Sequence, residues 1–495
     1  MQVAENPYDA VAYPGMPNPT SHPDRLAAMA ILHGLAPAPV DNCRVLEIAC
    51  GDGANLIPMA YAIPGTQFVG FDLARLPIER GQQRIRQLGL RNVSIFAMDL
   101  LDAGAELGKF DYIIAHGVYA WVPGPVRDRL LWLCAELLEP NGIAFVSYAA
   151  MPGGHLRSMI RDMMLLRLKG GEHPENRTAG GLKFLDFIVE ARPEGDVYRA
   201  LLDRQLKKMK TRNPAAIFHD ELSDAYRPVH FIEFVDHARQ HGLQYLSEAE
   251  LPPAPDPCYQ KDIRRQLNCA VGSDYLKQEQ ALDFVRMRMY RETLLVKEGP
   301  EPRRDFREED LRLLLLASEA SEDSPVAGEA TAFVLPGGAR MESNHPGVIA
   351  LLRQLGKAWP RALSWEELEA TNAAIRDLFD GDGAALLPKL AAARMIELHA
   401  WRAPVASTVS DRPHASACSR HEAQTREHAT SLLHRTVSLK DAKVRSLLRL
   451  LDGTRDRADL VEAMKAEFPG PSAGEVEEGL DSSLRLFLNA GILER

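Results

Sequence analysis

Apolar positions in the first third of the chain come in short runs separated by helical stretches. Residues 44–49 form a compact run without a polar face, the pattern of a strand buried on both sides of a parallel sheet. Gly51-Asp52-Gly53 breaks that run, and residues 54–62 then carry apolar side chains at helical spacing. Further strands are predicted over 67–71, closed by Asp72, over 93–97, followed by Asp99, over 110–115, and over 138–146. Strands alternating with helices predict an α/β fold around a parallel sheet. The rhythm then stops. Residues 155–212 read as helices, including 156–168 and 198–210, and strand-like runs return only at 243–249 and 291–297. Residues 155–242 are therefore expected to be a helical insertion within a domain spanning 1–298.

Charged, proline-bearing residues at 299–308 and a small, acidic stretch at 318–330 mark a boundary. Beyond it, 351–398 and 447–495 resemble one another, each reading as three helices and a terminal strand. Two smaller winged-helix-like α+β modules are expected, one within 299–410 and one within 411–495. The last helix of the second carries Glu475, Glu477, Glu478 and Asp481 against Arg485, which disfavours DNA and favours protein contact. At the other end, Pro7, Pro14, Pro17, Pro19 and Pro23 stiffen an extended strap holding Tyr8 and Tyr13. The simpler expectation is a tail lying on the domain. The alternative is a lid whose tyrosines, or His22, line a substrate site. Ser21 is expected to cap the helix that follows.

Composition changes this picture little. A chain of 495 residues suggests two to four domains, and 46% apolar with 25% charged residues is ordinary for a globular protein. A net charge of −10 argues against broad nucleic-acid binding. Runs such as 311–317, interrupted by Arg312, are too short to span a membrane, so no membrane partner is expected. The first residues lack a basic-then-apolar leader pattern, and six scattered cysteines suit reduced thiols, so a cytoplasmic protein is expected. Cys418, His421, His428 and His434 match no paired-ligand spacing, and no metal is expected.

The glycine turn carries the chemistry. Bare backbone between a strand and a helix N-terminus lets a ligand approach closely, and an acid about 20 residues on, here Asp72, can bond a ribose diol. NAD and S-adenosylmethionine both suit that arrangement. The dinucleotide fingerprint requires glycine or alanine where this chain has Leu56, which counts against NAD. His116-Gly117-Val118-Tyr119-Ala120-Trp121-Val122-Pro123 follows the fourth strand and so falls on the ligand-binding edge.

Glu47-Ile48-Ala49-Cys50-Gly51-Asp52-Gly53 resembles the first motif of class I methyltransferases, and the later strands continue the resemblance in order. It implies a Rossmann-like, seven-stranded sheet. It also implies that Glu47, Gly51, Gly53, Asp72, Leu73, Asp99, Leu100 and His116 surround S-adenosylmethionine, with Asp99 at the adenine amino group. The Asn-Pro-Pro-Tyr-like acceptor motif is absent, which counts against methylating nucleobase or glutamine nitrogen. The whole chain is similar to bacterial methyltransferases with a methyltransferase regulatory domain, known from rickettsial outer-membrane-protein lysine methyltransferases. Tyr13, Ser21 to Leu26, His116 to Pro123, His230-Phe231-Ile232-Glu233-Phe234 and Leu450 to Asp456 carry that likeness.

The resemblance implies a homodimer built partly from the insertion and a protein lysine as acceptor. On that basis Tyr119 and Trp121 are expected to form a dry slot, with His116 orienting the amine or taking its proton. The chain departs from the family at Ser147-Tyr148-Ala149 and Pro152-Gly153-Gly154-His155, where an asparagine and a tryptophan are expected. A small-metabolite acceptor, or cofactor binding without turnover, remain the alternatives.

Overall fold

The computed structural model describes residues 7–168, 174–251, 263–299, 301–323, 330–470 and 472–495. Seven strands form one sheet: β1 (Arg44–Ile48), β2 (Gln67–Asp72), β3 (Val93–Ala97), β4 (Phe110–Ala115), β5 (Leu138–Ala149), β6 (Leu243–Glu248) and β7 (Tyr290–Lys297). Their order is β3-β2-β1-β4-β5-β7-β6, with β7 antiparallel to both neighbours. Strand order reverses between β1 and β4, so the crevice at their carboxyl ends is the natural ligand site.

Alternation along the strands feeds two apolar layers. Val45, Tyr112 and Phe145 face the helix Pro23–Leu32 and the C-terminal modules. Leu46, Ile113 and Val146 face the helices Gly124–Leu137 and Phe231–Gln240 on the opposite side. Burial on both faces explains why these runs show no polar side.

Four helices, Gly153–Arg167, Pro174–Glu190, Val197–Lys210 and Pro214–Leu222, pack around their own core of Leu156, Met164, Leu202 and Phe218. The next helix, Phe231–Gln240, lies within 155–242 but packs on the sheet, with Phe231 and Phe234 fully buried. Ser21 does not cap the helix Pro23–Leu32. That role falls to His22, whose Nδ1 accepts the Asp24 N–H at 3.2 Å, while Ser21 Oγ bonds the Asn18 carbonyl at 2.9 Å.

After the sheet, Leu315–Ala317 pairs with Glu397–His399 beside four helices, Pro346–Ala358, Trp365–Glu369, Ala373–Asp380 and Gly383–Ala392. The third helix expected there is split at Gly381-Asp382. Trp365 and Phe379 stack within this module at 3.8 Å, in a core continuous with the first face of the sheet. The last module has a separate core around Leu447, Leu460, Leu484 and Phe487. Its helices are Ala417–Thr425, Ala442–Leu450, Arg457–Glu467 and Ala473–Asn489, with a hairpin of His428–Thr430 and Thr436–Ser438. Among the described residues, no helix is long and apolar enough to cross a membrane.

Candidate active site

The turn after β1 places Gly51 at φ +56° and Gly53 at φ +70°, backbone that side chains resist. Asp72, at the end of β2, pins the turn: Oδ2 accepts the Gly51 N–H at 2.9 Å and Oδ1 accepts the Ala74 N–H at 2.8 Å. A Cβ placed on Gly51 would meet nothing within 4 Å, so the bare backbone borders open space, whereas Gly53 packs against Ile57. Beneath the turn Glu47 is 4% exposed. Its Oε1 accepts from Asn55 Nδ2 at 2.8 Å and its Oε2 has no partner. Burial pushes the Glu47 carboxyl up to about 8.

His116 follows β4 and occupies the floor of the cleft, where burial lowers its pKa below the ordinary value. Its hydrogen bonds decide its tautomer. Ser147 Oγ accepts the Gly117 N–H at 2.8 Å and the Tyr290 hydroxyl at 2.7 Å, so its own proton is left for His116 Nδ1 at 3.0 Å. Asn18 Oδ1 accepts the Thr20 N–H at 3.2 Å, which turns its NH₂ toward His116 Nδ1 at 3.1 Å and Glu292 Oε1 at 3.4 Å. Nδ1 is thus an acceptor twice over, and the neutral ring carries its proton on Nε2. In that state His116 is a donor and not a base.

The proline-rich strap crosses this cleft. Asp9 accepts the Leu76 N–H at 2.9 Å, and Tyr8 stacks on His219 of the insertion, centroids 4.1 Å apart. His219 in turn donates to the Val11 carbonyl at 2.7 Å. Tyr13 lies 5.7 Å from the same ring, with its hydroxyl 3.5 Å from Asp220 Oδ1. Burial, then the carboxylates of Asp220 and Asp72, push the Tyr8 phenol up to about 12. The strap therefore lies on the domain surface across the cleft, with Tyr8 39% and Tyr13 44% exposed. His22 takes no part in it, being buried against Trp401 and His434.

Glu47, Gly51, Gly53, Asp72 and His116 meet at the carboxyl ends of β1, β2 and β4. Leu73, next to Asp72, is exposed, while Leu100 is buried and Asp99 accepts the Leu101 N–H at 2.9 Å. Tyr119 does not join them, whereas Trp121 Nε1–H donates to the Asp220 carbonyl at 3.4 Å. The Tyr119 ring is buried between Tyr148 and Phe234, and its hydroxyl contacts His237 Nδ1 at 2.8 Å. Trp121 turns toward the insertion, 5.7 Å from Tyr226 and under the Arg157 guanidinium. Tyr119 leaves the cleft because helix Phe231–Gln240 offers apolar cover that the open edge lacks. Asn18, Ser147, Tyr290, His219 and Asp220 enter the site unannounced by any motif, since only the fold brings them together.

The C-terminal module also reaches the glycine turn. Arg426 pairs with Asp52 at 2.9 Å, and His434 Nε2 contacts Asn55 Oδ1 at 2.8 Å. Among the described residues, Cys418, His421, His428 and His434 do not converge on a common point. Cys418 is buried, with its thiol pKa driven up by desolvation.

A methyltransferase-domain model matches residues 46–144, and a model described as "Predicted methyltransferase regulatory domain" matches 213–297. The latter covers the last insertion helix, helix Phe231–Gln240, β6 and β7. The PKMT C-terminal winged helix domain matches 411–470. Uncharacterized protein RP789 of Rickettsia prowazekii is 30% identical over 373 residues, 73% of this chain and 67% of that protein. The chain belongs to the class I methyltransferases that carry this regulatory domain. RP028, an uncharacterized protein of the same organism, is 32% identical over 240 residues, 48% of this chain and 96% of its own length. PKMT2 from Rickettsia typhi, also solved in complex with AdoHcy, shares the fold with TM-score 0.86 at 23% identity, over 97% of this chain and 99% of that one.

As a class I enzyme, the methyltransferase takes its methyl group from S-adenosylmethionine. Its residues fit that cofactor. Gly51 and Gly117 both border open space where a Cβ would intrude, and Glu47 Oε2 is a buried polar atom still lacking a partner. Each Asp72 oxygen accepts one backbone N–H and keeps a further lone pair for a hydroxyl.

Proposed function

We propose that this methyltransferase modifies lysine side chains of a protein substrate. The observation that carries the reading is the covered cleft beside the glycine turn. Tyr8, Tyr13 and Tyr290 line it, His116 donates from its floor, and it holds the carboxyls of Glu292 and of Asp220, the latter paired with Arg157 and Arg212. When bound, S-adenosylmethionine supplies a methyl group activated on a sulfonium. A lysine acceptor, with an ordinary pKa near 10.4, must then lose its proton, at a cost of roughly 4 kcal/mol at pH 7. Contact with the tyrosine rings lowers the hydration of the amine and so disfavours the ammonium form. Burial raises the pKa values of the Asp220 and Glu292 carboxyls, which makes each a better proton acceptor than an exposed carboxylate. Transfer is an in-line displacement, and the His116 Nε2–H serves to orient its partners.

In this reading the strap residues take the place of Tyr119 as walls of the acceptor slot, while Trp121 stays beside it through Asp220. The match of 411–470 to a winged helix of protein lysine methyltransferases supports a polypeptide substrate held by the C-terminal module. The insertion supports a homodimer, because Leu166, Phe187 and Val197 are 79%, 62% and 84% exposed on its surface. A cytoplasmic setting agrees with free thiols, among them Cys43, Cys50, Cys134 and Cys418.

The test is to incubate the full chain with isotopically labelled cofactor and a fractionated bacterial lysate. Label should enter protein, and peptide mass spectrometry should place it on lysine. Label found only in the small-molecule fraction would refute the lysine reading and favour a metabolite acceptor.

A further inference from the structure

The helical face opposite the C-terminal modules carries a second cluster, which the methyl-transfer chemistry does not use. His237, on the helix Phe231–Gln240, and His241, just past its end, are four residues apart and so share one helix face. Asp128, on the helix Gly124–Leu137, points between them. Its Oδ1 lies 3.4 Å from His237 Nε2 and 3.0 Å from His241 Nε2, and all three donor atoms fall within 4.8 Å of one another. We propose that Asp128, His237 and His241 bind one zinc-class divalent ion.

The spacing suits such an ion. Ligands about 2.0–2.1 Å from a tetrahedral zinc are separated from each other by about 3.3 Å, between the two distances seen here. The second ring nitrogen of His237 is already engaged, since Nδ1 faces the Tyr119 hydroxyl at 2.8 Å. Metal on Nε2 places the ring proton on Nδ1, from which it donates to the Tyr119 oxygen, the outer bond that fixes a ligating histidine. Access is open as well. The cluster borders a groove of about 840 Å³, and Asp128 is exposed, which leaves a fourth position for water. The donor set, two imidazoles and one carboxylate, selects zinc, cobalt or nickel over calcium or magnesium.

The site also has a route to the catalytic cleft. Tyr119 is three residues from His116 and two from Gly117, whose N–H bonds Ser147. An ion would cross-link the helices Gly124–Leu137 and Phe231–Gln240 and, through His237 and Tyr119, stiffen the loop that carries His116.

The full chain, freed of metal with a chelator, is titrated with Zn²⁺ by calorimetry and with Co²⁺ by its visible absorption. One ion per chain is expected, with the intense Co²⁺ bands of tetrahedral coordination. Asp128→Asn and His241→Ala should each weaken binding at least tenfold, and Tyr119→Phe, which removes only the outer bond, by about tenfold. His230→Ala, in the same groove but outside the cluster, should leave it unchanged. Asp128 is exposed, so its variant should melt like the wild type without metal, which separates lost binding from lost folding. Absence of saturable binding, or wild-type affinity in Asp128→Asn and His241→Ala, would overturn the proposal.

Discussion

Glu47 offers a prediction whose sign and size both follow from its surroundings. The side chain is buried under the glycine turn, one oxygen bonded to Asn55 and the other without a partner, and burial raises its pKa to about 8. An unfolded glutamate titrates near 4.3. Between these values the native chain holds a proton that the unfolded chain has released. The native state therefore binds more protons, and stability falls as pH rises through that window. The full effect approaches about 5 kcal/mol, of which about 3–4 kcal/mol falls between pH 5 and pH 8. Glu47→Gln removes the titration and keeps the shape, since its amide oxygen still accepts from Asn55. Urea denaturation of both proteins at pH 5, 6, 7 and 8, without cofactor, is the assay. The variant should match or trail the wild type at pH 5 and exceed it by several kcal/mol at pH 8. All other groups titrate alike in the two proteins, so the difference isolates Glu47. Two parallel pH profiles would mean that Glu47 is ionised in the native protein and that the argument from burial fails.

Asp72→Ala deletes the acceptor of the ribose hydroxyls and unpins Gly51, and should cost about 2–5 kcal/mol of cofactor binding by calorimetry. His116→Ala should slow single turnover at least tenfold with cofactor affinity nearly unchanged. If the ring acts as a donor, the wild-type rate between pH 6 and 8 should rise only with deprotonation of the acceptor and show no separate histidine step. Tyr13→Ala should raise KM for the protein acceptor more than for the cofactor, because the strap faces the acceptor side of the cleft. Phe187→Glu should convert a dimer to monomers in light scattering at micromolar concentration, and a wild type that is already monomeric would contradict the dimer directly.

The sheet was legible because its strands are buried on both faces and leave unbroken apolar runs, which the glycine turn and Asp72 punctuate at fixed distance. The cofactor side was legible for the same reason, as Glu47, Gly51 and Asp72 lie within one strand–turn–helix–strand unit. The proposed acceptor side was legible only in part, as the alternative of a lid formed by the strap tyrosines. His219 and Asp220 in the insertion and Tyr290 on β7 were not, because no local pattern joins segments so far apart. Tyr119 misled because position on the ligand-binding edge fixes where a loop starts, not which way an aromatic ring turns. There, burial against Phe234 outweighed the open cleft. The His237–His241 spacing was visible in the sequence, but Asp128, over a hundred residues away, was needed to give it meaning.

The contacts of Arg426 with Asp52 and of His434 with Asn55 join the last module to the turn that meets the cofactor. Two sites sharing such contacts are thermodynamically linked, and linkage runs in both directions by the same factor. If a polypeptide docking on the C-terminal module loosens or tightens those two contacts, it changes the affinity for S-adenosylmethionine, and the cofactor changes the affinity for the polypeptide equally. The enzyme would then sense its protein substrate before any lysine reaches the cleft. Product release would be set by the exchange of spent for fresh cofactor while the polypeptide stays engaged, favouring several methylations in one encounter.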